Sequence, residues 1–456
     1  MKVDENVEFG VSIGWDWADR GHRLCLKVAS DGSTEQLELP HKVEELKAWM
    51  SEIGKRFAGK KIAVAVEQSR GSLIYLFLNF DFFVVFPINS ATISHYRKAL
   101  RSSGAKDDPS DAELLLDFLL SQSHKLRALK PDDEETIKLR ALVEYRRKSV
   151  NEVSSLTRQL QAALKLYYPQ ALEWLPDLSS KMAYDFLIKW PSPQMARKAR
   201  PQTLRHFFQA HNCRIHDSIQ KRIAAIGSVE PLTGNEGIVS SSVMIVQLLV
   251  EKIRTANTCI ARLDKEIAAC YSTHQDVELY DSLPGAGPVL EPRLAVAMGI
   301  DRSRYENAVE LQQFSGTAPV TVRSGNSKWV HWRRACPKFM RQTFVEYAAC
   351  SLPRCAWANE CYQAAKARGK GHHAALRIVA YKWQRIIFRC WKDRVPYDEQ
   401  KYLSHLKRSQ LQSQTLNHMK SGTPGMASAS QIIRDLQMNI KSAAGIKNYG
   451  KNFKRH

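Results

Sequence analysis

At 456 residues, with 44% hydrophobic and 25% charged side chains, the chain has an ordinary globular composition and length enough for two or three cores. Lys and Arg number 67 against 46 Asp and Glu, a formal net charge of +21, and a surplus that large attracts a polyanion, most commonly nucleic acid. No run of about 18 apolar residues is present and no signal peptide is recognisable at the start, which argues against a membrane protein and predicts a cytoplasmic one.

The segment 9–16, Phe-Gly-Val-Ser-Ile-Gly-Trp-Asp, alternates, and as a strand it puts Phe9, Val11, Ile13 and Trp15 on one face and Ser12, Gly14 and Asp16 on the other. Leu24, Leu26 and Val28 mark a second strand, and the stretch from Gln36 to Leu39 a third. A helix over 43–57 would turn Val43, Leu46, Met50 and Ile53 inward. Ile62–Val66 is a buried strand with Glu67 at its C-terminal edge, followed by a helix near 72–80 and a strand from Phe82 to Phe86. That order predicts an α/β RNase H-like domain over 7–125. Residues 131–275 read as two long helical coiled-coil arms, 134–166 and 240–271, around an irregular tip at 167–239 rich in Pro and Trp. A mainly α-helical domain spans 279–402, and a basic, flexible tail 403–456. The nine cysteines form no C-x-x-C pair, so reduced thiols are expected rather than a zinc ribbon or a disulfide framework.

Four carboxylates stand out by position: Asp16 and Glu67 at strand ends, and Asp108 and Asp111 at the start of the amphipathic helix Asp-Pro-Ser-Asp-Ala-Glu-Leu-Leu-Leu. Ligands bind at strand ends of open α/β sheets, and Asp at i and i+3 point the same way. Hard oxygen donors suit Mg²⁺, and two such ions clamp the attacking and leaving oxygens in phosphoryl transfer. Taken alone, Asp108-Pro109 and Asp111 also read as an N-cap, Pro at N1 and a dipole-favoured acid, and a lone acid at a strand end is more often simply solvated.

In the second half, Leu283-Pro-Gly-Ala-Gly-Pro288 lies between apolar helical stretches. Such a helix-hairpin-helix-like element would let bare N–H groups at Gly285 and Gly287 approach phosphates, or would be no more than a tight interhelical turn. Downstream, Arg323, Lys328, Arg333 and Arg334 surround Ser324-Gly325 in a basic loop with Trp329 and Trp332; by itself the Ser-Gly pair is an ordinary turn. The arginines and lysine could neutralise a scissile phosphate or make non-specific backbone contacts. His331 reads as a surface residue or a general acid.

The order Gly14-Trp15-Asp16, Glu67-Gln-Ser-Arg-Gly71, Lys106-Asp-Asp108-Pro-Ser-Asp111-Ala112 resembles the DEDD motif of a bacterial insertion-sequence transposase family, number one-hundred-and-ten, whose N-terminal domain is RuvC-like. The run from Leu283-Pro-Gly-Ala-Gly through Phe314-Ser-Gly-Thr-Ala-Pro to Arg323-Ser324-Gly325 is similar to the family's C-terminal transposase domain. Together these blocks cover roughly 7–125 and 279–391. Trp15 and Trp17 flank Asp16 where smaller or charged residues are more usual, and the Glu67 loop is one residue longer than some family patterns. The resemblance implies that Asp16, Glu67, Asp108 and Asp111 are the four catalytic acids, holding two Mg²⁺ (or Mn²⁺ in vitro), and that Ser324 is a nucleophile, with Ser327 its nearby competitor. It also implies a DNA recombinase that forms a phosphoserine–DNA intermediate, is guided by an element-encoded bridge RNA and works as a homo-oligomer, a dimer or tetramer, with the serine acting in cis or in trans. The rivals are a Holliday-junction-type nuclease that uses metals and water alone, and a non-catalytic basic nucleic-acid-binding protein.

Overall fold

A computed structural model describes residues 8–100, 108–130 and 132–404, with the backbone alone for 108–110. Strands β1 (Phe9–Asp16), β2 (Gly21–Val28), β3 (Thr34–Pro40), β4 (Lys61–Val66) and β5 (Phe83–Pro87) form one sheet in the order β3-β2-β1-β4-β5. β1 to β3 pair antiparallel, while β4 and β5 lie parallel to β1, so the expected RNase H-like order is present. Helices α1 (Val43–Arg56) and α2 (Ser72–Phe77) cover one face of the sheet, and α3 (Ser90–Leu100) and α4 (Asp108–Gln122) the other. Leu46, Met50 and Ile53 of α1 meet Val11, Ile13 and Trp15, as alternation predicts, whereas Val43, also predicted inward, is exposed at the helix start.

Two expectations fail locally. Phe9 does not share the Val11 face; a register shift between Phe9 and Val11 turns it over, and it packs edge-on against Phe86 on the opposite side. Helix α3 had no counterpart in the strand-and-helix pattern, because only Ile93 of its 11 residues is buried and its periodicity is correspondingly faint.

Beyond the sheet, α5 (Glu134–Tyr167) is capped by Asp133, whose carboxylate accepts from the Thr136 amide at 2.6 Å. Five shorter helices follow: α6 (Ala171–Trp174), α7 (Lys181–Lys189), α8 (Pro193–Arg197), α9 (Pro201–Ala210) and α10 (His216–Gly227). The tip is therefore helical rather than irregular; two of its prolines, Pro193 and Pro201, sit at the starts of α8 and α9, where a missing N–H is harmless. Its aromatic side chains, Trp174, Phe186 and Phe208 among them, form one core with the adjoining parts of α5 and α11 (Glu236–Ser272). The two long helices lie antiparallel: Arg146, early in α5, pairs with Asp264, late in α11, while Leu160 and Leu164 share a core with Val246 and Val250.

The C-terminal helices are α12 (Val277–Asp281), α13 (Gly287–Met298), α14 (Ala308–Phe314), α15 (Lys338–Ser351), α16 (Ala356–Ala367) and α17 (His372–Asp393), interrupted by a hairpin of β6 (Val320–Ser324) and β7 (Ser327–His331). Buried α17 organises them. Its Trp383 indole donates to Ser351 Oγ and its Trp391 indole to the Gly299 carbonyl, both at 2.8 Å. A separate unit begins at Tyr397, and the tail predicted flexible lies from 405 onward outside the described residues. Among the described residues no helix is long and apolar enough to cross a membrane.

Candidate active site and nucleic-acid interface

Asp16 and Glu67 lie at the sheet end, and Asp111 lies in the first turn of α4 on the Asp16 side. Asp16 closes β1, and the parallel register of β1 with β4 ends at Trp15 opposite Val66, so the next step sets Glu67 beside Asp16. Gly14, on the Asp16 face of β1, touches α4 directly; a Cβ there would collide with the Ala112 carbonyl and the Leu116 amide. The helix is thereby held against the strand, and its first turn, carrying Asp108 and Asp111, lies on the Asp16 side of the sheet. The side chain of Asp108 lies outside the described residues. Gly14→Val is expected to lower unfolding stability by about 3 kcal/mol, because the obstruction is backbone that cannot rotate away. An unchanged urea midpoint would contradict this contact.

Asp111 is buried and forms an ion pair with Arg97 of α3, a residue that the sequence reading missed together with its helix. Arg97 is the local positive charge against Asp111. Behind Glu67, Arg70 binds Glu144 of α5 at 2.6 Å and ties the strand-end loop to the long helix. Among the described residues no three of the acids stand close enough together to hold an ion. The donors nevertheless fit a hard divalent cation in kind and in face: carboxylates only, at the ends of adjacent parallel strands and under one helix start.

The unusual tryptophans point away from the acids. Trp15 packs edge-on against Trp49 and Phe77, and both Trp15 and Trp17 lie against His22. His22 is buried and shares a 2.9 Å hydrogen bond with His41. Burial first, and His41 second, push its pKa down to about 4. Because this folded value lies below the ordinary one near 6.5, the stability held by neutral His22 is complete above about pH 6.5 and is lost as the pH falls toward 4. The urea midpoint of the wild type should fall between pH 7 and 4.5, and that of His22→Gln should fall less; equal slopes would assign the loss to other groups.

In the second half, Phe314-Ser-Gly-Thr-Ala-Pro proves to be the root of the β6–β7 hairpin. Ser315 and Thr317 are buried; Ser315 Oγ accepts from Gln384 Nε2 at 2.6 Å, and Thr317 donates to the other end of the same amide. Gly316, with φ of 75°, leaves no room for a Cβ against Cys336. The loop expected around Ser324 is a two-stranded ribbon whose turn is Gly325-Asn326. Gly325 has φ of 53° and no Cβ obstruction, the pattern of a type II′ hairpin turn with glycine at its first central position. Ser324 and Ser327 face each other as its last pair, both exposed, and Arg323 sits opposite Lys328. Like charges across a strand pair repel, and neither has a carboxylate partner among the described residues, which leaves the ribbon short of negative charge. His331 ends β7 exposed. Arg333 and Arg334 follow in the irregular segment between β7 and α15. Among the described residues the hairpin is a sheet of its own, separate from the five-stranded sheet that carries Asp16.

The predicted phosphate turn has a different cause at one of its two glycines. Gly285, with φ of 80°, abuts the Cys350 carbonyl, so its missing side chain serves helix packing rather than close approach of a ligand. Gly287, φ 59°, faces open space. The adjoining cavity of about 630 Å³ carries Asp281 and Glu291 beside Arg354. Burial and the neighbouring Asp281 raise the Glu291 pKa to about 7, so this is not a markedly cationic cradle.

Residues 13–169 match a DEDD transposase family model of the IS110 type, and residues 277–363 match the Transposase IS116/IS110/IS902 family. The chain is 27% identical over 418 residues to a protein of Streptomyces coelicolor called "Mini-circle putative transposase for IS117", which covers 87% of this chain and 97% of that relative. It is likewise 27% identical to the "Insertion element IS110 uncharacterized 43.6 kDa protein" of the same organism, over 64% of this chain and 72% of that one. An RNase H-like sheet with acids at its strand ends, joined to a helical second domain that matches a transposase model, defines a DNA transposase, an enzyme that cuts and rejoins DNA. The chain belongs to the IS110 family of insertion-sequence transposases.

Proposed function

We propose that this transposase exchanges DNA strands with two sets of groups: the acids Asp16, Glu67, Asp108 and Asp111, which would hold two Mg²⁺ ions, and the Ser324 hydroxyl as nucleophile. The observation that carries the reading is the docking of α4 on β1 at Gly14, which brings the Asp111 turn to the Asp16 face. Bound there, the ions would stabilise charge on the attacking and leaving oxygens. Ser324 Oγ would attack phosphorus as its proton leaves, forming an Oγ–P bond and breaking the bond to the departing strand oxygen, which takes up a proton. Attack on the phosphoserine by the hydroxyl of the incoming strand then releases the serine. The ester conserves the phosphodiester energy between the two steps. Arg323 and Lys328, paired beside Ser324, would neutralise the phosphate.

The two long helices α5 and α11 favour an assembly of several copies, and the active form is read as a homo-oligomer in which Ser324 meets the acids in cis or in trans. The described residues hold no zinc-finger cluster, and target choice is assigned to pairing with an element-encoded guide RNA, gripped through backbone and shape. Because the hairpin forms a sheet separate from the one that carries the acids, a second reading is a nuclease working with the acids and water alone. A purified-protein reaction on donor and target DNA separates them. Joint molecules that require Mg²⁺ and vanish with EDTA are expected; cut ends without joining would support the nuclease.

A further inference from the structure

Where β7 gives way to α15, a cavity of about 420 Å³ opens between α5, α15 and α17. Its wall is cationic: Arg147 from α5, Lys338 and Arg341 from α15, and Arg377 from α17, with Trp332 at the hairpin's end. None of these cations has a carboxylate partner among the described residues. Two of the guanidiniums lie over the half-exposed Trp332 ring, Arg341 at 4.5 Å and Arg377 at 4.9 Å. Arg147 uses one nitrogen on Gln342 Oε1 at 2.8 Å and packs over Phe339, while its buried Nε has no partner.

Several cations brought together from three helices, with no acid to balance them, repel one another, and such a concavity is stabilised by an anion that enters it. Burial and then Arg341 lower the Arg377 pKa, the mark of a cation held near its like and away from water. The ribbon leading to the cavity continues the same charge through Arg323, Lys328, Arg333 and Arg334, so the complementary partner is an extended polyanion rather than a single ion. Trp332 lies five residue steps beyond Ser327, about 17 Å at the usual strand rise, so a strand lying along the ribbon reaches from the serine tip to the cavity. Arginine planes and an aromatic ring at a cationic groove are the equipment that holds unpaired bases, which every sequence can offer. A paired base is shielded by its own stack from entering a concavity of this kind.

We infer that the Arg147–Trp332–Lys338–Arg341–Arg377 cavity holds a nucleotide of an unpaired DNA strand, its phosphate on the cations and its base against the guanidinium and indole planes. This deepens the strand-exchange reading, since a strand cut near Ser324 must be kept apart from its complement until it is rejoined.

Full-length protein carrying Arg341→Gln and Arg377→Gln tests it by fluorescence anisotropy with three labelled probes of one length: a thymidine single strand, a DNA duplex and a uridine RNA strand. Single-strand DNA affinity should fall about tenfold or more, a magnitude in keeping with one lost stacked base plus phosphate contacts. Its salt slope should shrink by about 0.7 for each phosphate contact removed. Duplex affinity should change by no more than about twofold. Trp332→Ala should reproduce the loss and Trp332→Phe should largely spare it, while the melting temperatures verify folding. Equal losses on duplex and single strand would make the cavity a general backbone contact and overturn the inference. A loss confined to RNA would give it to RNA, and no loss would empty it of any role in binding. Binding needs no cleavage, so the assay reads equally in Ser324→Ala protein, and a wrong nucleophile is told apart from a wrong cavity.

Discussion

Ser324→Ala is expected to abolish strand exchange, by about 10⁴-fold or more, while leaving folding and DNA binding as they were. The serine lies exposed at the tip of a two-stranded ribbon, with the turn Gly325-Asn326 beyond it and Ser327 as its only cross-strand neighbour. Truncation removes one oxygen and no packing, so unfolding stability should stay within about 0.5 kcal/mol of the wild type. A nucleophile cannot be replaced in this way if the phosphodiester energy is to be kept. Water entering instead would release cut ends, and joined product would disappear while some cleavage persists. Ser327→Ala should recombine close to normally; the reverse result would move the role three residues along the same ribbon.

Asp16→Asn and Glu67→Gln should each suppress cleavage by on the order of 10³-fold, the rate equivalent of losing several kcal/mol of charge stabilisation. Both substitutions keep the shape of the side chain. Asp16 ends a strand whose other face carries the Trp15 core, and Glu67 is exposed, so the sheet should be undisturbed. Cleavage assays in Mg²⁺, set beside urea unfolding curves, separate the effects: lost cleavage with an unchanged midpoint is expected, and undiminished cleavage would remove these acids from the site. The Asp111→Asn result reads differently, because buried Asp111 also neutralises the half-buried Arg97; there a fall in stability should accompany the loss of activity.

Strand ends and alternation made the sheet legible. β1 could be read because Val11, Ile13 and Trp15 alternate with small residues, and those small residues are what admit α4 at Gly14. The long helices were legible from their charge spacing, whereas the tip hid its helices because short segments such as α6 and α8 offer too few turns for a period to emerge. Phe9 was misassigned because one irregular step of register inverts a face, and alternation carries no mark of it. Of the candidate site, the acids stand out in the sequence by position, but Arg97 against Asp111 is a tertiary pairing across 14 residues of sequence. The cavity beside Trp332 is less visible still, because Arg147 and Arg377 come from distant segments and each alone reads as a solvated charge. Gly285 carries a packing requirement that the sequence does not show, since the Cys350 carbonyl leaves no room there for a side chain.

The most direct test is to trap the covalent step. Wild-type protein is incubated in Mg²⁺ with a nicked suicide substrate, from which the departing strand diffuses away, and then digested for peptide mass mapping. A DNA adduct on the peptide carrying Ser324, absent from Ser324→Ala, is the predicted result. Recombination by Ser324→Ala at the wild-type rate, with no adduct on any serine, would contradict the serine mechanism and leave the acids to work with water alone.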